Sequence, residues 1–261
     1  MLRIGILVTS LRLPLEEAVG TAARLGAEGL QLWTAGGQLD PDESSDTVRR
    51  DLTRLIGREG LEVSALCADY GRPYTSEENV RWLVPRIQDQ MALAMAFGTR
   101  IITTHIGVIP EDRESPEWKT LYSAMKELGE YGERLDIALA TETGPEEPAL
   151  LREFLDAVGS PYIKANYDPA NLAMKGFDPV KGVADLAPHI VHTHAKDGIR
   201  HSDGRPEEVP LGEGDVDWDA YVDALQDIGF DGFLTVERES GDDPVGDVAH
   251  AISFLRMKVG G

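Results

Sequence analysis

Four stretches of the 261-residue chain decide its fold: Ile137 to Glu142 (IALATE), Tyr162 to Asp168 (YIKANYD), Ile190 to His194 (IVHTH) and Phe233 to Glu237 (FLTVE). Each is a short apolar run that ends on a carboxylate or an imidazole, and a run of that length reads as a buried strand. Working back toward the start, four more such runs appear, at Arg3 to Val8, Gly29 to Trp33, Leu61 to Cys67 and Arg100 to His105. Around and between the eight, apolar residues recur three to four apart, which is helical spacing. The predicted helices are Leu15 to Leu25, Thr47 to Arg58, Val80 to Phe97, Trp118 to Arg134, Pro148 to Val158, Pro179 to Leu186, Trp218 to Ile228 and Val245 to Val259. Gly26, Gly60, Gly98 and Gly229 follow four of them where C-terminal caps are expected. Eight strands alternating with eight helices form the α/β pattern of a (β/α)8 TIM barrel, here a single domain over residues 1–261. The rival, a doubly wound open sheet, needs a Gly-rich phosphate turn after its first strand, and RIGILVTS supplies none.

The charge narrows the function classes. With 25 Lys+Arg against 46 Asp+Glu the chain carries −21, and such a surface repels a phosphate backbone, so no nucleic-acid partner is expected. No apolar stretch is long enough to span a membrane, and the N-terminus lacks a signal-peptide pattern, so a cytoplasmic location is expected. The lone Cys67 reads as a small buried hydrophobe. Homo-oligomer formation stays open.

In a barrel, strands five to eight are neighbours and their C-terminal tips surround one mouth. Glu142, Asp168, His194 and Glu237 therefore converge. Singly, each has a plain alternative: an Asx turn or helix cap for Asp168, a solvated loop carboxylate for either glutamate, a satisfied core histidine for His194. Together they place three carboxylates and an imidazole at one buried point, which is prohibitive without a compensating cation. Three oxygen donors and one nitrogen suit one divalent ion, Mn2+ first, with Mg2+, Co2+ or Zn2+ as alternatives. Such an ion polarises a carbonyl bound to it, and a carboxylate beside it, Glu142 or Glu237, can then move a proton from the neighbouring carbon. Around them, His105 and Trp33 are candidate sugar contacts. His192 lies one layer below His194, and Lys164 and Asn166 share the face of Asp168; all three are candidate supports for the carboxylates. Glu213 and Lys196 read as loop structure, and the long segment Asp197 to Asp217 as a loop over the mouth.

TETG at 141–144, NYDPANL at 166–172, HTHAKD at 192–197, LGEGDVDW at 211–218 and TVERE at 235–239 together resemble the xylose-isomerase-like TIM-barrel superfamily of sugar phosphate isomerases and epimerases. The resemblance covers essentially the whole chain. It implies that Glu142, Asp168, His194 and Glu237 are the metal ligands, with the two glutamates as acid and base. It also implies that Arg200 contacts substrate oxygens and that the substrate is a small sugar or sugar phosphate. Ketose 3-epimerases of this group carry a histidine three residues after the Asp; Asn171 stands there, so the substrate contact at that position differs. Three rivals share the scaffold: a metal-dependent dehydratase of the inosose or dehydroshikimate type, a DNA-repair endonuclease of the AP-endonuclease type, and a non-catalytic sugar-binding protein. The endonuclease needs further histidines where this chain has Asn171 and PEEVP.

Overall fold

A computed structural model describes residues 2–260. In chain order its elements are β1 (Arg3–Leu7), α1 (Leu15–Leu25), β2 (Gly29–Trp33), α2 (Asp46–Arg58), β3 (Glu62–Cys67), α3 (Glu77–Phe97), β4 (Ile101–Thr104), α4 (Pro116–Leu135), β5 (Ala138–Glu142) and α5 (Pro148–Val158). There follow β6 (Ile163–Tyr167), α6 (Pro169–Lys175), α7 (Pro179–Leu186), β7 (Ile190–Ala195), β8 (Asp197–Arg200), β9 (Pro206–Val209), α8 (Trp218–Asp227), β10 (Phe233–Val236) and α9 (Pro244–Val259). Eight strands, all parallel to their neighbours, close in the order β1-β10-β7-β6-β5-β4-β3-β2, the expected (β/α)8 barrel.

The helices form because their apolar stripes have a sheet to cover. In α1 Ala18, Val19 and Ala22 are buried and Glu16 and Glu17 occupy the first turn, where carboxylates suit the helix dipole. Gly26 and Gly98 end α1 and α3 in the left-handed conformation that a residue with a Cβ resists. Leu30, Leu32, Leu66, Ile102 and Leu139 lie fully buried along the strands. No helix of the described residues is long and apolar enough to cross a membrane.

Two elements depart from the sequence reading. Seven residues after β6 form α6, one turn too short to show a clear apolar period. The segment after β7 is not plain loop: Asp197–Arg200 pairs antiparallel with Pro206–Val209 in a hairpin. Asp197 fastens its base. One carboxylate oxygen accepts Gly198 N–H at 2.9 Å and Val216 N–H at 3.3 Å, and the other accepts Gly212 N–H and Trp218 Nε1–H, both at 2.9 Å. The final Asp of HTHAKD and the LGEGDVDW segment thus form one buried polar knot.

Candidate metal centre

β5, β6, β7 and β10 are consecutive around the barrel, so their tips meet. Glu142 ends β5; Asp168 and Glu237 stand one residue beyond β6 and β10; His194 is the penultimate residue of β7. One ligand atom from each lies within 4.8 Å of all the others. His194 Nδ1 faces Glu237 Oε2 at 3.1 Å, Glu142 Oε2 at 3.5 Å and Asp168 Oδ2 at 3.7 Å. All four residues are buried, none more than 9% exposed.

The donor chemistry fits a cation on an observation independent of sequence spacing. Asp168 Oδ2 and His194 Nδ1 are buried and make no hydrogen bond, a costly state for polar atoms that face one another across a cluster. Asp168 does both things the sequence allowed: Oδ1 caps α6 by accepting Asn171 N–H at 3.0 Å, while Oδ2 points at the centre. Burial pushes its carboxyl above the ordinary value, with Glu142 and Glu237 adding to the effect. Burial opposes charge on Glu142 and Glu237, but in the metal-free chain a protonated His194, joined by His105 at Glu142 and by Lys196 at Glu237, outweighs it and holds both carboxyls below the usual range.

Two hydrogen-bond chains hold the ligands from beneath. Thr235 Oγ1 meets His192 Nε2 at 3.0 Å, His192 Nδ1 meets Asn166 Oδ1 at 2.8 Å, and Asn166 Nδ2 donates to Glu142 Oε2 at 3.1 Å. Burial lowers the His192 pKa to about 3, so the ring is neutral: one nitrogen accepts from Thr235 while the other donates to Asn166. From the opposite wall, Gln31 of β2 donates to Thr103 Oγ1 at 2.8 Å and offers Oε1 to His194 Nε2 at 2.9 Å. The carboxylates favour a protonated His194 in the metal-free chain; with Nε2–H directed at Gln31, Nδ1 is the nitrogen that a cation would take in place of its proton. Asn171 Nδ2 donates to Glu142 Oε1 at 2.9 Å, so both Glu142 oxygens are held.

Above Glu142 and Asn171 a cleft of about 410 Å³ opens between the β4–α4 and β5–α5 connections, α6 and the hairpin. His105, just past β4, lines it; its Nδ1 is 2.7 Å from Asp69 Oδ2 and its Nε2 is 3.5 Å from Glu142 Oε1. Glu142, with Asp69 beside it, raises the His105 pKa to about 11.

Three expected site residues lie elsewhere. Lys164 does share the barrel-facing side of β6, but alternation fixes a face and not a depth; it sits near the N-terminal end and donates to the Pro188 carbonyl at 3.0 Å. Arg200 is carried away by the hairpin, where its exposed guanidinium packs against Gly176 and is not part of the cleft wall. Trp33 bonds the Ala35 carbonyl and lines a separate hollow of about 220 Å³ with Val8, Leu13 and Leu39. Lys196 is the opposite correction. Expected in loop structure, it is 5% exposed, with Nζ 3.1 Å from Glu237 Oε2 and 2.6 Å from Glu239 Oε2. Sequence reasoning also missed Gln31 and Asp69; the one signal for Gln31 was a lone amide on the inward side of GLQLW.

A barrel with its polar residues gathered at the C-terminal end defines an enzyme-like TIM scaffold, and comparison with known proteins makes the class specific. The family model described as xylose isomerase-like TIM barrel matches residues 19–258, and the chain belongs to that family. It is 25% identical over 244 residues to L-ribulose-5-phosphate 3-epimerase UlaE of Escherichia coli O1:K1 / APEC, covering 85% of this chain and 84% of that protein. An uncharacterized protein of Methanocaldococcus jannaschii is 26% identical over 186 residues, which cover 66% of this chain and 62%, under two thirds, of that protein. Among solved structures, a xylose isomerase domain protein from Planctomyces limnophilus superposes with a TM-score of 0.85 at 24% identity, covering 99% of this chain and 98% of that one.

Proposed function

We propose that the protein is a divalent-metal-dependent isomerase or epimerase of a small sugar or sugar phosphate. The observation that carries this reading is the facing pair of buried, unbonded atoms, Asp168 Oδ2 and His194 Nδ1, set among three carboxylates beneath a cleft. The likeness to a ribulose-phosphate epimerase over most of both chains supports the sugar substrate class. Glu142, Asp168, His194 and Glu237 would hold the ion, Mn2+ being the best match to three oxygens and one nitrogen. When bound it supplies Lewis acidity, which makes a C–H beside a ketone easier to deprotonate.

The chain's own groups do the rest. Asn166 and Asn171 fix the Glu142 carboxylate from both sides and Lys196 fixes that of Glu237, so the two stand as rigid, separate proton carriers. One removes the substrate proton and the other returns one; return to the opposite face is epimerisation, return to the adjacent carbon isomerisation. On the cleft wall His105 and Lys175 offer hydrogen-bond donors to sugar oxygens, and Asn171, whose amide protons go to Glu142 and the Thr143 carbonyl, offers its Oδ1 as an acceptor. Incubating the Mn2+-supplemented protein in D2O with a panel of ketoses and sugar phosphates tests this by mass. Deuterium incorporation without loss of water is the expected outcome; loss of water would make the enzyme a dehydratase, and metal-bound protein inert toward the whole panel would remove the reading.

A further inference from the structure

Lys196 is a buried ammonium pressed against a cluster of buried carboxylates. Its Nζ lies 3.1 Å from Glu237 Oε2 on the inner side and 2.6 Å from Glu239 Oε2 on the outer side. Glu239 is 66% exposed, so water screens its charge, whereas Glu237 is buried and its charge is not screened. Glu142, Asp168 and Glu237 bring three negative charges to the centre, and Lys196 offsets one; His105, 3.5 Å from Glu142, is already paired with Asp69 at 2.7 Å. Two remain.

We propose that Lys196 determines the charge of the ion the centre accepts: by reducing three carboxylates to a net charge of minus two, it matches the site to a divalent cation and disfavours a trivalent one. The inference rests on the metal-centre reading above and adds a residue that lies outside the ligand set. Hydrogen bonding alone does not require a lysine here, because a neutral amide can also donate to Glu237. A lysine instead places a full charge one ligand away from the ion, where its repulsion grows with the ion's own charge. Buried charges in this geometry interact strongly because little water lies between them. Removing the positive charge therefore strengthens binding of a trivalent ion more than that of a divalent one.

The test uses the full chain and two probe ions, Mn2+ and Tb3+, with dissociation constants measured at one pH by competition with a chromophoric chelator. The quantity read is the ratio of the Mn2+ constant to the Tb3+ constant. Comparing it between variants cancels the ions' different radii and hydration. Lys196→Gln, which keeps a donor but loses the charge, is expected to raise the ratio by roughly tenfold or more, and Lys196→Arg, which keeps the charge, to leave it within about threefold of the wild type. Lys196→Met gives a second charge-free variant and is expected to behave as Lys196→Gln. A merely structural lysine would weaken both ions alike, so an unchanged ratio in the charge-free variants, with both ions still bound, overturns the proposal. Failure of the wild-type chain to bind either ion has a different signature: it removes the metal centre, and this inference with it.

Discussion

The two ends of the barrel treat polarity in opposite ways. At the N-terminal end, the Phe233 ring fills space that a Cβ at Gly29 would need, and the Arg3 guanidinium lies 3.9 Å from the ring centroid while also pairing with the exposed Glu62. Lys164 nearby spends its charge on a carbonyl. The buried polar atoms left without a partner there, Ser64 Oγ and His189 Nδ1, are uncharged and do not face a cluster of carboxylates. At the C-terminal end, three carboxylates and an imidazole are packed together below 10% exposure with two of their atoms unbonded. One end is built for stability, and the other gathers three carboxylates and an imidazole where a cation could be held.

The largest effect should come from Glu142→Gln or Glu237→Gln. Either is expected to lower deuterium exchange into substrate by roughly 10²- to 10⁴-fold, the usual worth of a positioned proton carrier, while the melting temperature does not fall. A melt that collapses with the activity would instead make the C-terminal end structural. The converse belongs at the other end. Phe233→Ala should cost about 3 kcal/mol of stability by leaving a cavity, read by denaturant unfolding, with Mn2+ affinity unaltered. A matching loss of affinity would show that the two ends are coupled.

Gln31→Leu probes the link between them. Without the amide, His194 loses the partner that fixes its tautomer, and Mn2+ affinity measured by calorimetric titration should drop about 10- to 100-fold. The mildest prediction concerns Glu146, a further buried carboxylate at the ligand end, four residues past Glu142 and with one oxygen unbonded. Burial raises its pKa from 4.5 to about 7. A carboxyl raised in the folded state is tolerated while protonated and costs stability as pH rises through its folded pKa. Glu146→Gln should therefore match the wild type below pH 4.5 and exceed it in stability above pH 7 by roughly 3 kcal/mol. Equal stability of the two proteins at pH 8 would show that Glu146 carries no such penalty.

These contrasts also explain what could be read before any coordinates. The barrel and the four tips were legible because strand alternation and βα spacing are local, and because a carboxylate ending an apolar run is conspicuous. Asp168 was ambiguous between cap and ligand for a good reason, since its two oxygens do one job each. The supports were hidden because their partners are remote in sequence: Gln31 meets His194 across 163 positions, and Lys196 meets Glu237 across 41. Lys164 misled because alternation is blind to depth. Arg200 was carried off by a hairpin of two four-residue strands, DGIR and PEEV, that show no apolar alternation.

That hairpin separates two kinds of variation. Its base is tied to the barrel through the four donors gathered by Asp197, while Pro206 on its second strand contributes to the cleft wall. The outer turn, 201–205, touches none of the four tip residues. Length and composition there are free to change while the chemistry beneath stays fixed. The hairpin thus divides into an anchored base that meets the cleft through Pro206 and an outer turn that stands clear of it.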